Sequence, residues 1–230
     1  MKKGRICLIS FVRKYRHGLW MLFYSLFYIV IFRYLENRYV PAYHVVHTVF
    51  DDMIPFCEVF IVPYMLWFPY MVIAVLYFIF INKDKKEYWQ LAGNMIMGMT
   101  VFLVVSYLYP NIQHLRPEIL PRENIFADAV RALYATDTPT NILPSIHVFN
   151  SLAIHMSLTN CAAMRDHRGI RRGSLILTIL IILSTMFLKQ HSVIDVCLGS
   201  TMALFGYLLF YPGQARELSQ RLAEIGRQSY

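Results

Sequence analysis

The chain has 230 residues, of which 57% are hydrophobic, 15% aromatic and only 16% charged, with a mean hydropathy of +0.44. That composition excludes an ordinary soluble globular domain and points to a single all-α membrane bundle; a β-barrel would show short alternating segments in place of long continuous apolar runs. The net charge of +8 does not mark a nucleic-acid binder, because the basic residues are gathered in blocks that alternate with the apolar runs.

In chain order, a basic segment leads into the aromatic run "LWMLFYSLFYIVIF". The pair has the outline of a secretory leader, but no small-x-small cleavage site follows, so a retained first span over 18–36 is expected. The stretch 37–54 carries His44 and His47 with Asp51 and Asp52. A plain interfacial helix is expected there, with adventitious metal binding as the alternative. The second span, 55–81, contains Pro55, Pro63 and Pro69, so its first half should kink or be partly re-entrant. "NKDKKE" forms a tight loop over 82–87, and Pro110 closes the third span, 89–109. A long polar segment, 111–142, precedes the fourth span at 143–164. The fifth and sixth follow at 173–188 and 191–211. In the tail, 212–230, Leu218, Leu222 and Ile225 share one helical side, which suits either a membrane surface or a frayed end.

The expected fold is therefore a polytopic six-transmembrane-helix bundle without repeats. Of the 22 Lys and Arg residues, 16 fall in 1–18, 83–86, 165–172 and 216–227; the other six are Arg33, Arg38, Arg116, Arg122, Arg131 and Lys189. By the positive-inside rule both termini are cytoplasmic, and 37–54, 111–142 and the hinge at 189–191 face outward in a cell membrane. Cys7, Cys57, Cys161 and Cys197 form no CxxC and read as small packing residues.

Ionisable groups at the ends of spans are costly unless paired or wet, so they are the candidates for chemistry. His191 and Asp195 are four apart at the start of the sixth span and share a helix face. A carboxylate there fixes the imidazole tautomer and stabilises its cation, as a nucleophile or base requires; a structural helix-start pair is the plain alternative. In "NILPSIH", Pro144 and Ser145 suit a helix start, Ser145 can cap or bind an anion, and His147 follows just inside. His147 is placed to donate a proton to a leaving oxygen. Arg116 offers a planar fork for a phosphoryl group, and Lys189 a second cation beside His191. A metal held by His147, His191 and Asp195 would still want a fourth ligand.

These blocks resemble the type-2 phosphatidic-acid phosphatase superfamily of integral membrane enzymes, whose motifs are Lys-x6-Arg-Pro, Pro-Ser-Gly-His and Ser-Arg-x5-His-x3-Asp. The first is "YPNIQHLRP" (109–117), with Tyr109 at the lysine position. The second is "PSIH" (144–147), with Ile146 at the glycine position. The third is "STMFLKQHSVID" (184–195), with Thr185 at the arginine position. The degenerate pattern, with "DDMIPFCEVFIVPYMLWFPY" (51–70), also resembles the branch of sphingomyelin synthases and inositol-phosphoryl transferases. The resemblance implies an outward-facing site in which His191 is the nucleophile, Asp195 its orienting partner and His147 the acid and then the base. It implies phosphate contacts from Arg116, Ser145 and Ser184, and neither metal nor cofactor. If the fifth span stays helical that far, Lys189 lies one turn beyond Thr185 and restores the missing cation.

The implied activity is hydrolysis of a phosphomonoester or pyrophosphate lipid through a phosphohistidine. The alternative is transfer of a phosphoryl or phospho-alcohol headgroup to a lipid or polyol acceptor. An inactive scaffold and a transporter are the other classes, although transport would want paired broken helices at mid-membrane. The partner in either enzymatic case is a membrane lipid with a phosphate-containing headgroup. The topology is open to direct test: in a cysteine-free background, Leu120→Cys and Lys85→Cys should react with an impermeant thiol reagent from opposite sides. Labelling of both from one side would overturn it.

Overall fold

In hydrocarbon no water is available to satisfy the backbone, so each apolar run closes its own hydrogen bonds as a helix. A computed structural model describes residues 13–214, together with 216, 217, 220 and 224. Cys7 and the tail pattern of Leu218, Leu222 and Ile225 lie outside the described residues. Among the described residues the α-helices are α1 (Gly18–Asn37), α2 (Val49–Met53), α3 (Ile61–Leu76), α4 (Lys85–Leu108), α5 (Ile125–Thr136), α6 (Ile146–Asn160), α7 (Arg168–Phe187) and α8 (Val193–Phe210). The only strands among them are β1 (His44–Val45) and β2 (Asn111–Ile112), paired in parallel.

The chain is an all-helical, multi-pass membrane protein in which five helical segments among the described residues are long and apolar enough to cross a bilayer. They are Gly18–Asn37, Glu58–Ile81, Lys85–Leu108, Arg168–Phe187 and Val193–Phe210. The fourth expected span is helical only over the 15 residues of α6, about 22 Å against a hydrocarbon core of about 30 Å. Its helix starts late because the chain before it is spent on anchoring: Asn111 accepts the amides of Ile142 and Leu143 on its side-chain oxygen. It ends early at Cys161, where the chain turns into a 3-10 segment.

The second span runs through its prolines without turning back. Pro69 sits inside α3, which is flanked by a 3-10 turn at Glu58–Phe60 and a π-helical turn at Tyr77–Ile81. The expected outer helix over 37–54 shrinks to α2. His44 is in β1, its ring stacked at 4.0 Å on Tyr109, and His47 meets Asp52 at 2.9 Å.

α6 is the centre of the bundle and packs on α3, α4, α7 and α8. Val148, Phe149, Asn150, Ser151, Ala153 and Ile154 are all fully buried. Two glycines allow these approaches. A Cβ at Gly98 of α4 would lie 2.1 Å from the Phe149 ring, and one at Gly199 of α8 would lie 2.7 Å from the Ser145 carbonyl oxygen. The second approach sets the starts of α6 and α8 side by side, where the Ser145 amide donates to the Asp195 carbonyl at 3.2 Å. Gly98→Ala should therefore lower the thermal midpoint in detergent by the equivalent of about 1–3 kcal/mol of overpacking. Gly173→Ala, with nothing within 4 Å of the added carbon, should leave it within error or raise it.

Candidate active site

Helix α8 begins with a capping box: Ser192 accepts the Ile194 amide, and the Asp195 carboxylate receives the Ser192 amide at 2.9 Å. The same Oδ2 of Asp195 lies 3.2 Å from Nδ1 of His191, and Asp195 is 0% exposed. A carboxylate accepts only, so Nδ1 of His191 carries the hydrogen and Nε2 is left with its lone pair. That Nε2 is 3.3 Å from Nδ1 of His147, 44 residues away in the chain. His147 is held by ring contacts on α3, with Tyr64 at 4.8 Å and Trp67 at 4.2 Å between centroids. The result is a line from Asp195 through His191 to His147 at the starts of α8 and α6.

The turn 188–192 that carries His191 is fastened from several directions. The amides of Gln190 and His191 both donate to the Thr185 carbonyl, at 2.9 and 3.0 Å. Tyr134 of α5 donates to the Leu188 carbonyl at 2.7 Å, and Gln113 to the Lys189 carbonyl at 2.9 Å. From α2, Asp51 accepts Ser192 Oγ at 2.6 Å and the Val193 amide at 2.8 Å. Burial alone would raise the Asp51 pKa, but the bonds from Ser192, Val193 and Thr48 hold it below the usual carboxylate range.

Lys189 lies elsewhere than expected. Helix α7 ends at Phe187, and Lys189 adopts a left-handed φ of 52°, so the helical phase that would align it with Thr185 is lost. Its ammonium donates to the carbonyls of Asp51, at 2.6 Å, and Ile54. Lys189 thus ties α2 to the turn that carries His191. Ser145 caps α6 through the Val148 amide at 3.4 Å, and Ser184 donates to its own helix at Ile181, 2.6 Å away. Both hydroxyls are fully buried. Thr185 likewise bonds back to Ile182.

Arg116 reaches the site through an intermediary that sequence reasoning missed. Its Nη1 donates to the carbonyls of Asp137 at 2.8 Å and Tyr134 at 3.3 Å, and its Nη2 to Oε1 of Gln190 at 2.6 Å. The guanidinium also lies over the Tyr134 ring at 4.6 Å, and burial lowers its pKa. Because arginine only donates, the Gln190 amide is fixed with its NH2 group free. Gln190 is 3% exposed, and its Nε2 has no partner. The Nε of Arg116 and Oδ1 of Asp195 are also unpartnered. A pocket of about 50 Å³ opens here, lined on its polar side by Asp137, Gln190, His147 and His191 and on its apolar side by Phe32 and Phe102. Asp137 accepts from Tyr64 at 3.4 Å, and burial raises its pKa.

No group of three or more His, Cys, Asp or Glu side chains among the described residues is arranged to hold a metal ion. No protein-family model, curated protein or solved structure matches the chain. What the arrangement can do follows from its geometry: an oriented imidazole whose Nε2 lone pair faces a second imidazole, and the unpaired N–H donors of Gln190 in the same pocket.

The Asp51 clamp has a pH signature. A carboxylate held below its ordinary pKa stabilises the folded state fully above the unfolded value of about 4, and that contribution fades as pH falls through the folded value. Acid titrations of thermal stability should show wild type well above Asp51→Ala at neutral pH, by about 1–2 kcal/mol on the scale of a lost cap. The gap should close below about pH 4. A gap that persists unchanged into acid would remove Asp51 from this role.

Proposed function

We propose that the protein is a membrane enzyme that transfers the phosphoryl group of a lipid headgroup by way of a phosphohistidine on His191. The observation that carries this reading is the contact of His191 Nε2 with His147 Nδ1 at 3.3 Å, with Asp195 on the far side of the same imidazole. In the first step the Nε2 lone pair attacks phosphorus and a phosphorus–oxygen bond breaks. His147, as imidazolium, gives its Nδ1 proton to the departing alkoxide. In the second step neutral His147 takes a proton from the acceptor, whose oxygen attacks phosphorus and expels His191 with its electron pair. Asp195 balances the charge on His191 while the phosphoryl group is attached. At 3.3 Å the two imidazoles leave no space for phosphorus between them. They must part on substrate entry, and His147, held only by ring contacts on its α3 side, is the one free to swing.

On this reading α6 is a short crossing that brings the total to six, both termini are cytoplasmic and the pocket faces outward. With water as acceptor the protein is a lipid phosphatase. One observation favours the second reading, transfer of a phosphodiester headgroup to an alcohol: the pocket lining contains Asp137 and neither Lys nor Arg. A phosphomonoester would bring a charge of about −1.5 to −2 into that space, and a diester about half as much. Arg116, working through Gln190, is better matched to the diester.

His191→Ala should abolish both the phosphoenzyme and turnover. His147→Ala should slow release of an alkoxide by about 10²–10⁴-fold and of p-nitrophenolate far less. Activity should survive EDTA. Rapid-quench trapping with 32P-labelled lipid decides the assignment: label on His147, or first turnover without label on intact His191, would sink it. Free phosphate from phosphatidic acid without added alcohol marks the phosphatase, and headgroup transfer that needs an acceptor marks the transferase.

A further inference from the structure

At the opposite end of the bundle from the histidines, α1 and α4 begin side by side. Gly18 lets α1 approach the turn that follows α3, since a Cβ would lie 2.9 Å from the Ile79 side chain. Tyr88 fixes the entry, donating to the His17 carbonyl at 2.8 Å while its ring meets the His17 ring at 4.7 Å. Between the two helix starts lies a cavity of about 530 Å³. Its lining repeats one pattern on both sides: a cation, then an aromatic ring one turn deeper. Arg16 is followed by Trp20 and Phe23, and Lys85 by Trp89.

Among the described residues the charges in this cavity are uncompensated. Neither the Arg16 guanidinium nor the Lys85 ammonium has a hydrogen bond or ion pair among the described residues, and no acidic residue lines the space. The acids next in sequence are engaged elsewhere. Asp84 caps α4 through the Lys86 amide, and Glu87 is taken by Asn82 and the Ala162 amide. The rings remain open, with Trp20 65% and Phe23 62% exposed. Unpaired cations at a membrane edge with indoles just beneath them fit an amphiphile whose anionic head sits above an acyl chain.

We propose that this cavity is a binding site for an anionic phospholipid, its phosphate between Arg16 and Lys85 and one acyl chain along Trp20, Phe23 and Trp89. The site is separate from the histidine pocket and does not depend on the catalytic reading. By the distribution of basic residues it belongs to the cytoplasmic leaflet. Bound there, the lipid bridges the starts of α1 and α4 and adds to their pairing, which at this end the hydrogen bond from Tyr88 to the His17 carbonyl supports.

The test uses the full chain purified in dodecyl maltoside. Micelles doped with phosphatidylglycerol should raise its thermal midpoint by a few degrees, in a saturable manner, whereas phosphatidylcholine and inorganic phosphate should not. Arg16→Gln with Lys85→Gln should keep the midpoint measured without added lipid and lose the increment. Phosphatidylglycerol with brominated acyl chains should quench tryptophan fluorescence more than brominated phosphatidylcholine does. That quenching needs only the wild-type protein, so it decides the matter even if the double variant fails to fold. Three results would overturn the site: an increment that survives in a folded double variant, an equal increment from inorganic phosphate, or equal quenching by the two brominated lipids.

Discussion

A carboxylate with no exposure to solvent must be matched by donors or lose its charge, and in this protein that demand falls on Asp195. Its Oδ2 is met by the Ser192 amide and His191 Nδ1, both within its own helix start. The bond to that one oxygen therefore sets the His191 tautomer and aims Nε2 away from α8. What lies in that direction is decided by the crossing of α8 with α6, which Gly199 brings close enough for Ser145 to bond Asp195 through the backbone. His147, two residues after Ser145, is the consequence. The facing imidazoles are thus an outcome of burying one negative charge beside a glycine.

The outer segments converge on the turn between α7 and α8 and hold it in place. A five-residue connection of this kind would ordinarily be among the more mobile parts of a fold. Here α2 clamps it through Asp51 and Lys189, α5 through Tyr134, and the chain after α4 through Gln113 and Arg116. Fastening this turn keeps the His191 ring in one orientation, as the nucleophile proposed at that position would require. His147 is fastened only by ring contacts and by its contact with His191, so on the proposed reading it is the half of the pair that yields.

Much of the bundle could be read from the chain because long apolar runs and their breakers are local signals. The first, third and sixth expected spans, 18–36, 89–109 and 191–211, sit within a few residues of α1, α4 and α8. The fourth was harder, since the apolar character of 143–164 says nothing about Asn111 anchoring Ile142 and Leu143 outside the helix. The pairing of His191 with Asp195 was legible from helical spacing, but its meeting with His147 was not, because contact across 44 residues depends on packing at Gly199. Lys189 misled for a related reason. A helix-phase argument holds only while the helix lasts, and α7 stops two residues short. Gln190 carried no signal, since an amide between a lysine and a histidine has no distinguishing pattern until its partner Arg116 is seen.

The shortness of α6 has a consequence for the medium in which any reaction would occur. If its Asn160 end, next to the basic turn at 165–172, is level with one surface of the hydrocarbon, the His147 end stands roughly 8 Å below the other. That is the depth of the upper acyl chains, where water is scarce and dissolved lipid alcohols are plentiful. A molecule competing for the second step would be ranked there by how readily it partitions into the bilayer, ahead of its concentration in the surrounding solution. The length of one helix would then help choose the acceptor.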